Sequence, residues 1–187
     1  NSNGAFVYTH YSRAGYGKLQ FRNDYGPAQF TAVRQAITYC LDRASFAKTF
    51  TGGYGGVVDG AYYAGSWMYK EAAANGMLLN AYDTSADTAI AVLEADGWIY
   101  DANGEPYVEG VRYKKIPAEY ADENDKTYKS IDGAYVTTKV GDDYYMPLVL
   151  NWYGTTDNPF SDLLVTDFEQ GANIAAAGIV IQKTTGD

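Results

Sequence analysis

Apolar residues recur at helical spacing in several stretches of the chain. The best-supported helix follows residue 29, where Val33, Ile37 and Cys40 fall on one apolar stripe and Arg34 and Gln35 lie off it. This position makes Cys40 a small buried hydrophobe rather than a reactive thiol. By the same periodicity, the pattern predicts helices over residues 30–41, 44–50, 85–95 and 161–177.

Other stretches alternate apolar and polar residues or run apolar between turn signals, as strands do. These stretches are residues 15–22, 111–116, 134–140, 146–153 and 179–181. Single strands set between helices, with a strand-rich middle, predict an α/β fold with a mixed sheet flanked by helices. Gly97 ends the third helix, and we expect Trp98 to be a core anchor directly after it.

Residues 52–69 show neither the helical spacing of apolar residues nor the alternation typical of a strand. They contain six Gly, four Tyr and one Trp, and their only charged residue is Asp59. We interpret them as a long ordered loop whose aromatic rings have a surface to pack on.

Composition excludes several classes of function. The chain has 187 residues and a net charge of −9, which suits one globular domain and argues against a nucleic-acid partner. His10 and Cys40 are its only His and Cys, so no zinc site and no catalytic triad is expected. Asp101 opens a calcium-like run, but Pro106 stands where such a loop needs Gly, which favours a hairpin through Asn103-Gly104. We therefore expect a protein that is not an enzyme and needs no cofactor or metal.

The order of segments resembles the peptide/nickel-type solute-binding proteins of ABC importers. The most specific block begins with residues 16–23 and Gly26-Pro27, and continues with Val-Arg-Gln-Ala-Ile at residues 33–37 and Leu-Asp-Arg at 41–43. Two weaker blocks follow in the same order. They are residues 83–98, which end in Ala-Asp-Gly-Trp, and residues 146–150 followed by residues 170–181.

The resemblance implies a two-lobed, periplasmic-binding-protein-like fold that closes on its ligand. Residues 1–187 would then be a single α/β lobe, a fragment of a larger protein, with an acidic strand and loop insertion near residues 107–140. The implied partners are a peptide or another small solute, the missing lobe of the same protein and the ABC permease in the membrane. The implied location is extracytoplasmic, periplasmic or as a cell-surface lipoprotein, with the targeting signal outside this fragment.

The candidate ligand-binding residues are Tyr and Trp residues in the Gly-rich loop and at the end of an apolar strand. They are Tyr54, Tyr62, Tyr63, Trp67, Trp152 and Tyr153. The alternative for each is ordinary packing, either beneath the loop or in the core. The resemblance implies peptide transport most directly, although nickel chelates and sugars remain open as ligands. A different class of function also remains open, namely a surface adhesion or carbohydrate-binding domain whose Tyr and Trp side chains stack on sugars.

Overall fold

The computed structural model describes residues 14–24, 26–77, 80–118 and 137–186, together with Gly4, Thr9 and Tyr11. The chain divides into two compact units. We call Asn1–Leu19 with Gly56–Ala81 the aromatic unit, and Gln20–Gly55 with Tyr82–Asp187 the core unit. Most of the predicted insertion, residues 119–136, lies outside the described residues.

The described residues form six helices, five strands and one 3-10 turn, Pro27–Gln29. In chain order the helices are α1 (Thr31–Cys40), α2 (Arg43–Phe50), α3 (Trp67–Ala74), α4 (Ala86–Ala95), α5 (Pro159–Asp167) and α6 (Ala172–Ala176). The strands are β1 (Tyr113–Ile116), β2 (Thr138–Val140), β3 (Asp143–Pro147), β4 (Val149–Thr155) and β5 (Val180–Gly186). The prediction of an α/β fold with sheets flanked by helices is confirmed.

The core unit is organised around α1 and α4, which pack against each other. The apolar stripe predicted for α1 is buried, including Val33, Ile37 and Cys40, and it meets Leu93 of α4 in the core. Cys40 also joins α1 to α6, because its Sγ lies 3.4 Å from the carbonyl oxygen of Asn173, whose side-chain amide donates back to the Cys40 carbonyl over 3.1 Å. Both long helices predicted in the first half of the chain are therefore confirmed.

Trp98 is the largest fully buried side chain of the core unit. Its indole Nε1 donates to the Asp96 carboxylate over 3.1 Å, and its ring meets Phe30 edge to face with centroids 5.6 Å apart. The prediction that Trp98 anchors the core is confirmed.

Pairing of the strands separates them into two sheets. β3 lies between β1 and β2 in a three-stranded antiparallel sheet, and β4 pairs with β5 in parallel. Residues 146–153 were predicted as one strand, and this is wrong, because the chain changes sheets at Leu148. Leu148 is fully buried; its N–H donates to the Arg112 carbonyl over 2.8 Å, and its carbonyl accepts from the Val180 N–H over 3.0 Å.

Three further expectations need correction. The stretch at residues 15–22 has no strand, since no ladder pairs with it among the described residues. The predicted long helix over 161–177 is two helices, because the chain turns at Gly171, where a Cβ atom would collide with the Asp167 carbonyl oxygen. The predicted loop over residues 52–69 ends earlier, since α3 begins at Trp67.

Arg112 is a buried cation that the sequence did not single out. Its guanidinium donates to the carbonyl oxygens of Ala177 and Trp98, each over 3.0 Å, and to the Glu94 carboxylate over 3.2 Å. The same group lies 4.0 Å above the Tyr107 ring. One side chain thus ties together the ends of α4 and α6 and the segment leading into β1.

Candidate functional site

In the aromatic unit, the candidate residues cluster around the start of α3. Ser66 is buried and caps the helix, its hydroxyl accepting from the Tyr69 N–H over 3.1 Å. This cap places Trp67 in the first helical turn, where it is 71% exposed, and Tyr62 is 45% exposed in the preceding loop. Tyr63 is half-buried and lies over the backbone of Gly65, where an added Cβ would come within 2.7 Å of the ring.

Among the described residues of the aromatic unit, none of these aromatic side chains is buried. Every buried hydrophobic residue in the described part of the chain belongs to the core unit, and the buried residue of the aromatic unit is Ser66. Exposure of this degree leaves the Trp67 and Tyr62 rings accessible from solvent. Both side chains are therefore available for contact with a ligand or with another protein surface.

In the core unit, Trp152 and Tyr153 follow each other on β4 and so point to opposite sides of the sheet. The Trp152 ring packs edge to face on Phe168 with centroids 5.5 Å apart, and the Lys183 ammonium lies 5.5 Å from its centroid. Tyr153 is 52% exposed on the other side. The structure therefore does not bring this predicted pair together on one surface.

Tyr54 lies just beyond α2 and is exposed. Phe46 and Phe50, which precede Tyr54 in the sequence, form a cluster with the distant Phe160 that the sequence did not predict. Phe160 of α5 meets Phe46 and Phe50 of α2 edge to face, with centroids 4.9 and 5.2 Å apart. The helical spacing of Phe46 and Phe50 in the sequence indicates that these two rings lie on one face of α2. Phe160 joins them only because α2 packs on α5.

Two titratable groups of the core unit have shifted pKa values, and each shift has a structural cause. Burial raises the pKa of Cys40 to about 12, so its thiol stays protonated and is a poor nucleophile. The pKa of Asp101 is lowered, chiefly because its carboxylate accepts from the backbone N–H of Asn103 and also from that of Glu105. These bonds close the tight turn that was predicted at this point, with Tyr100 bridging to Pro106.

The described residues contain neither a metal-binding cluster nor a membrane-spanning helix. They hold no group of three or more His, Cys, Asp or Glu side chains arranged to bind a metal ion. Within the same residues, no helix combines the length and the apolar character needed to cross a membrane.

Comparisons by sequence give no relatives: no family model matches the chain, and no curated protein matches it. Solved structures do match by fold. NikA from Brucella suis in complex with Fe(III)-EDTA aligns with a TM-score of 0.55 at 16% identity, over 89% of this chain and 25% of that one. The chain has the fold of a partial lobe of a periplasmic binding protein.

Two further structures agree with this assignment. NikZ from Campylobacter jejuni in complex with Ni(L-His) aligns with a TM-score of 0.52 at 18% identity, covering 88% of this chain and 24% of that one. An ABC transporter substrate-binding protein from Sinorhizobium meliloti gives 0.50 at 18% identity, covering 89% and 26%. The chain spans about a quarter of the length of each structure it matches. The fold thus agrees with the resemblance found in the sequence, and it carries no information on peptide specificity.

Proposed function

We propose that this chain is one lobe of an extracytoplasmic solute-binding protein, which holds a small solute in a cleft against a second lobe and delivers it to an ABC permease. The observation that carries the proposal is the fold match over nearly nine-tenths of the chain to three structures, of which one is an ABC transporter substrate-binding protein. The protein would act by binding alone, without catalysis. The resemblance makes an oligopeptide the first ligand to test.

The exposed aromatic side chains support this proposal. A cleft-binding protein needs rigid apolar surface that stays open until the ligand arrives, and Tyr and Trp supply it at low entropic cost. Trp67 and Tyr62 are held in place by the capped start of α3 and its loop, yet remain largely exposed. We propose these two residues, with Tyr54, Tyr63, Trp152 and Tyr153, as ligand or inter-lobe contacts.

The sharpest test measures affinity and stability on the same variant. In the intact protein, Trp67→Ala should weaken ligand binding by about 1–3 kcal/mol, as expected for an aromatic anchor. Its unfolding free energy without ligand should fall much less. Calorimetry against pools of oligopeptides, nickel chelates and sugars would identify the ligand first. Failure of the intact protein to bind any member of these pools would refute the proposal.

A further inference from the structure

The tripeptide Ala-Asn-Gly occurs twice in the chain. One copy, residues 74–76, lies in the aromatic unit, and the other, residues 102–104, lies in the core unit. Asn followed by Gly is chemically labile, because the backbone nitrogen of a residue without a side chain can reach the amide carbon of the preceding Asn. The residues on both sides of the Asn are the same in the two copies, so a large difference in their reactivity must come from the fold.

The first copy forms the end of α3. The Gly76 N–H donates to the Ala73 carbonyl over 3.2 Å, and the Met77 N–H donates to the Ala72 carbonyl over 2.8 Å. Gly76, with a φ of 65°, thus occupies the left-handed position of a C-terminal capping turn. An apolar contact of the residue after the glycine often closes such a turn, but Met77 is 72% exposed. The turn therefore rests on hydrogen bonds at the protein surface, and such a helix end opens at a small cost in free energy.

The second copy is held on two sides. The Asp101 carboxylate accepts from the backbone N–H of Asn103 over 2.8 Å and from that of Glu105 over 2.9 Å. The Gly104 N–H donates to the Asp101 carbonyl over 3.2 Å. A Cβ atom added at Gly104 would lie 2.7 Å from the ring of Tyr145, which is buried. Opening this turn would break these bonds and expose an aromatic ring, which costs more free energy than opening the end of α3.

We propose that Asn75 is a site of spontaneous deamidation and that the fold protects Asn103 from the same reaction. When the last turn of α3 opens, the Gly76 backbone nitrogen forms a bond to the side-chain carbonyl carbon, Cγ, of Asn75. The bond between Cγ and Nδ2 breaks, and Nδ2 leaves as ammonia with the proton of the Gly76 nitrogen. Water then adds to either carbonyl carbon of the succinimide ring and breaks its bond to the ring nitrogen, which leaves aspartate or isoaspartate at position 75. The reaction needs only water, and it is independent of the proposed function.

The product weakens the helix end at which it forms. Nδ2 of Asn75 donates to the Glu71 carbonyl over 2.9 Å, and a carboxylate cannot donate this hydrogen bond. The new negative charge also lies at the carboxyl end of α3, where the helix dipole disfavours an anion. The same helix begins at Trp67, so the reaction alters the element that presents this side chain on the surface of the aromatic unit.

Peptide mapping by mass spectrometry follows both copies in one sample. The protein is incubated in mildly alkaline buffer, both native and in urea. In the native protein, the products should form at least about 10-fold faster at Asn75 than at Asn103, which corresponds to a difference of about 1.4 kcal/mol in the free energy of opening. In urea, the two positions should react at comparable rates. Asn75→Gln should abolish the product at position 75, because Gln would have to close a larger ring, and should leave the rate at Asn103 unchanged.

A second variant tests the protection of Asn103. Asp101→Ala removes the carboxylate that closes the turn, so the reaction at Asn103 should accelerate about 2- to 12-fold in the native protein, as for the loss of one hydrogen bond. The rate at Asn75 should stay the same, which excludes general unfolding as the cause.

Equal native rates at the two positions, or a faster reaction at Asn103, would overturn the proposal. A difference of the same size in urea would also overturn it, because the difference would then come from the sequence and not from the fold. An unchanged rate at Asn103 in Asp101→Ala would show that the turn does not protect this residue.

Discussion

Trp98 of the core unit and Trp67 of the aromatic unit both lie beside a helix end, yet their surroundings differ completely. Trp98 follows α4, is fully buried, and has its indole N–H paired with Asp96. Trp67 opens α3 behind the Ser66 cap and is exposed over most of its surface. The core unit uses its largest aromatic side chain for stability, whereas the aromatic unit holds its own available on the surface. Under the proposed function, stability and recognition would lie in different parts of one chain.

The same substitution at the two tryptophans tests this division directly. Trp98→Ala should lower the unfolding free energy by about 3–5 kcal/mol, because it removes a large side chain from a packed core. Trp67→Ala should lower it by less than about 1 kcal/mol, since little packing is lost. Urea unfolding of both variants measures the difference. Equal losses at the two positions would show that the aromatic unit has a core after all.

Arg112 provides the next largest effect, within the core unit. Arg112→Lys keeps the charge, but a single ammonium cannot reach Trp98, Ala177 and Glu94 together, so buried carbonyls lose their donor. We expect a loss of about 2–4 kcal/mol in urea unfolding. Lys115, whose ion pair with Asp143 is exposed, is the control, and Lys115→Ala should hardly change stability. An unchanged unfolding free energy in Arg112→Lys would show that the hydrogen bonds of Arg112 do not contribute to stability.

Cys40→Ser should have a smaller effect, of about 1–3 kcal/mol, from a poorly paired hydroxyl in the core. A kinetic measurement checks the same burial without mutation. A thiol reagent such as dithionitrobenzoate should label Cys40 slowly in the native protein and completely after unfolding in urea. Rapid labelling of the native protein would contradict the burial of Cys40 at the contact of α1 with α6.

The smallest expected effect concerns pH. Burial, aided by the nearby Asp42 carboxylate, raises the pKa of Asp167. Since the folded protein binds this proton more tightly than the unfolded chain, Asp167 favours folding below about pH 4, and this contribution is lost as the pH rises through the folded pKa. Asp167→Asn should therefore be slightly more stable than the wild type at pH 7, with the gain shrinking towards pH 4.

Thermal unfolding between pH 4 and pH 7 measures this gain. Asp162→Asn on the same helix is the control, because Asp162 pairs with Lys183 and its loss should bring no gain at pH 7. A stability gain for Asp167→Asn that grows towards pH 4 would contradict the raised pKa.

The parts of the fold that the sequence predicted well are those fixed by local patterns. The stripe through Val33, Ile37 and Cys40 can only be buried by a helix, and all three residues are buried on α1. The start of α3 carried a comparable local signal, since Ser66 precedes residues 67–74, which include good helix formers. The aromatic character of the surrounding segment concealed that signal.

The parts that the sequence did not predict depend on partners distant in the chain. Residues 15–22 alternate like a strand, but alternation fixes only which side a residue faces, and a strand also needs a neighbour to pair with. The apolar run through Leu148 gives no sign that its two halves enter different sheets. Arg112 reads as an ordinary surface cation until Trp98 and Ala177 surround it. Of the candidate site residues, Trp152 and Tyr153 could be placed on opposite sides of their strand by alternation, whereas the covering of Trp152 by Phe168 could not be inferred.

Leu148 gives the core unit a mechanical property. It is the only residue between β3 and β4, and its N–H and carbonyl are each bonded to a different neighbour, one at Arg112 and one at Val180. A one-residue connection that is buried and hydrogen-bonded through both backbone groups leaves β3 and β4 little freedom to move relative to each other. A force applied to Tyr153 would pass along β4 into the antiparallel sheet instead of being absorbed between the two. We therefore expect β4 to move together with the antiparallel sheet instead of hinging at Leu148.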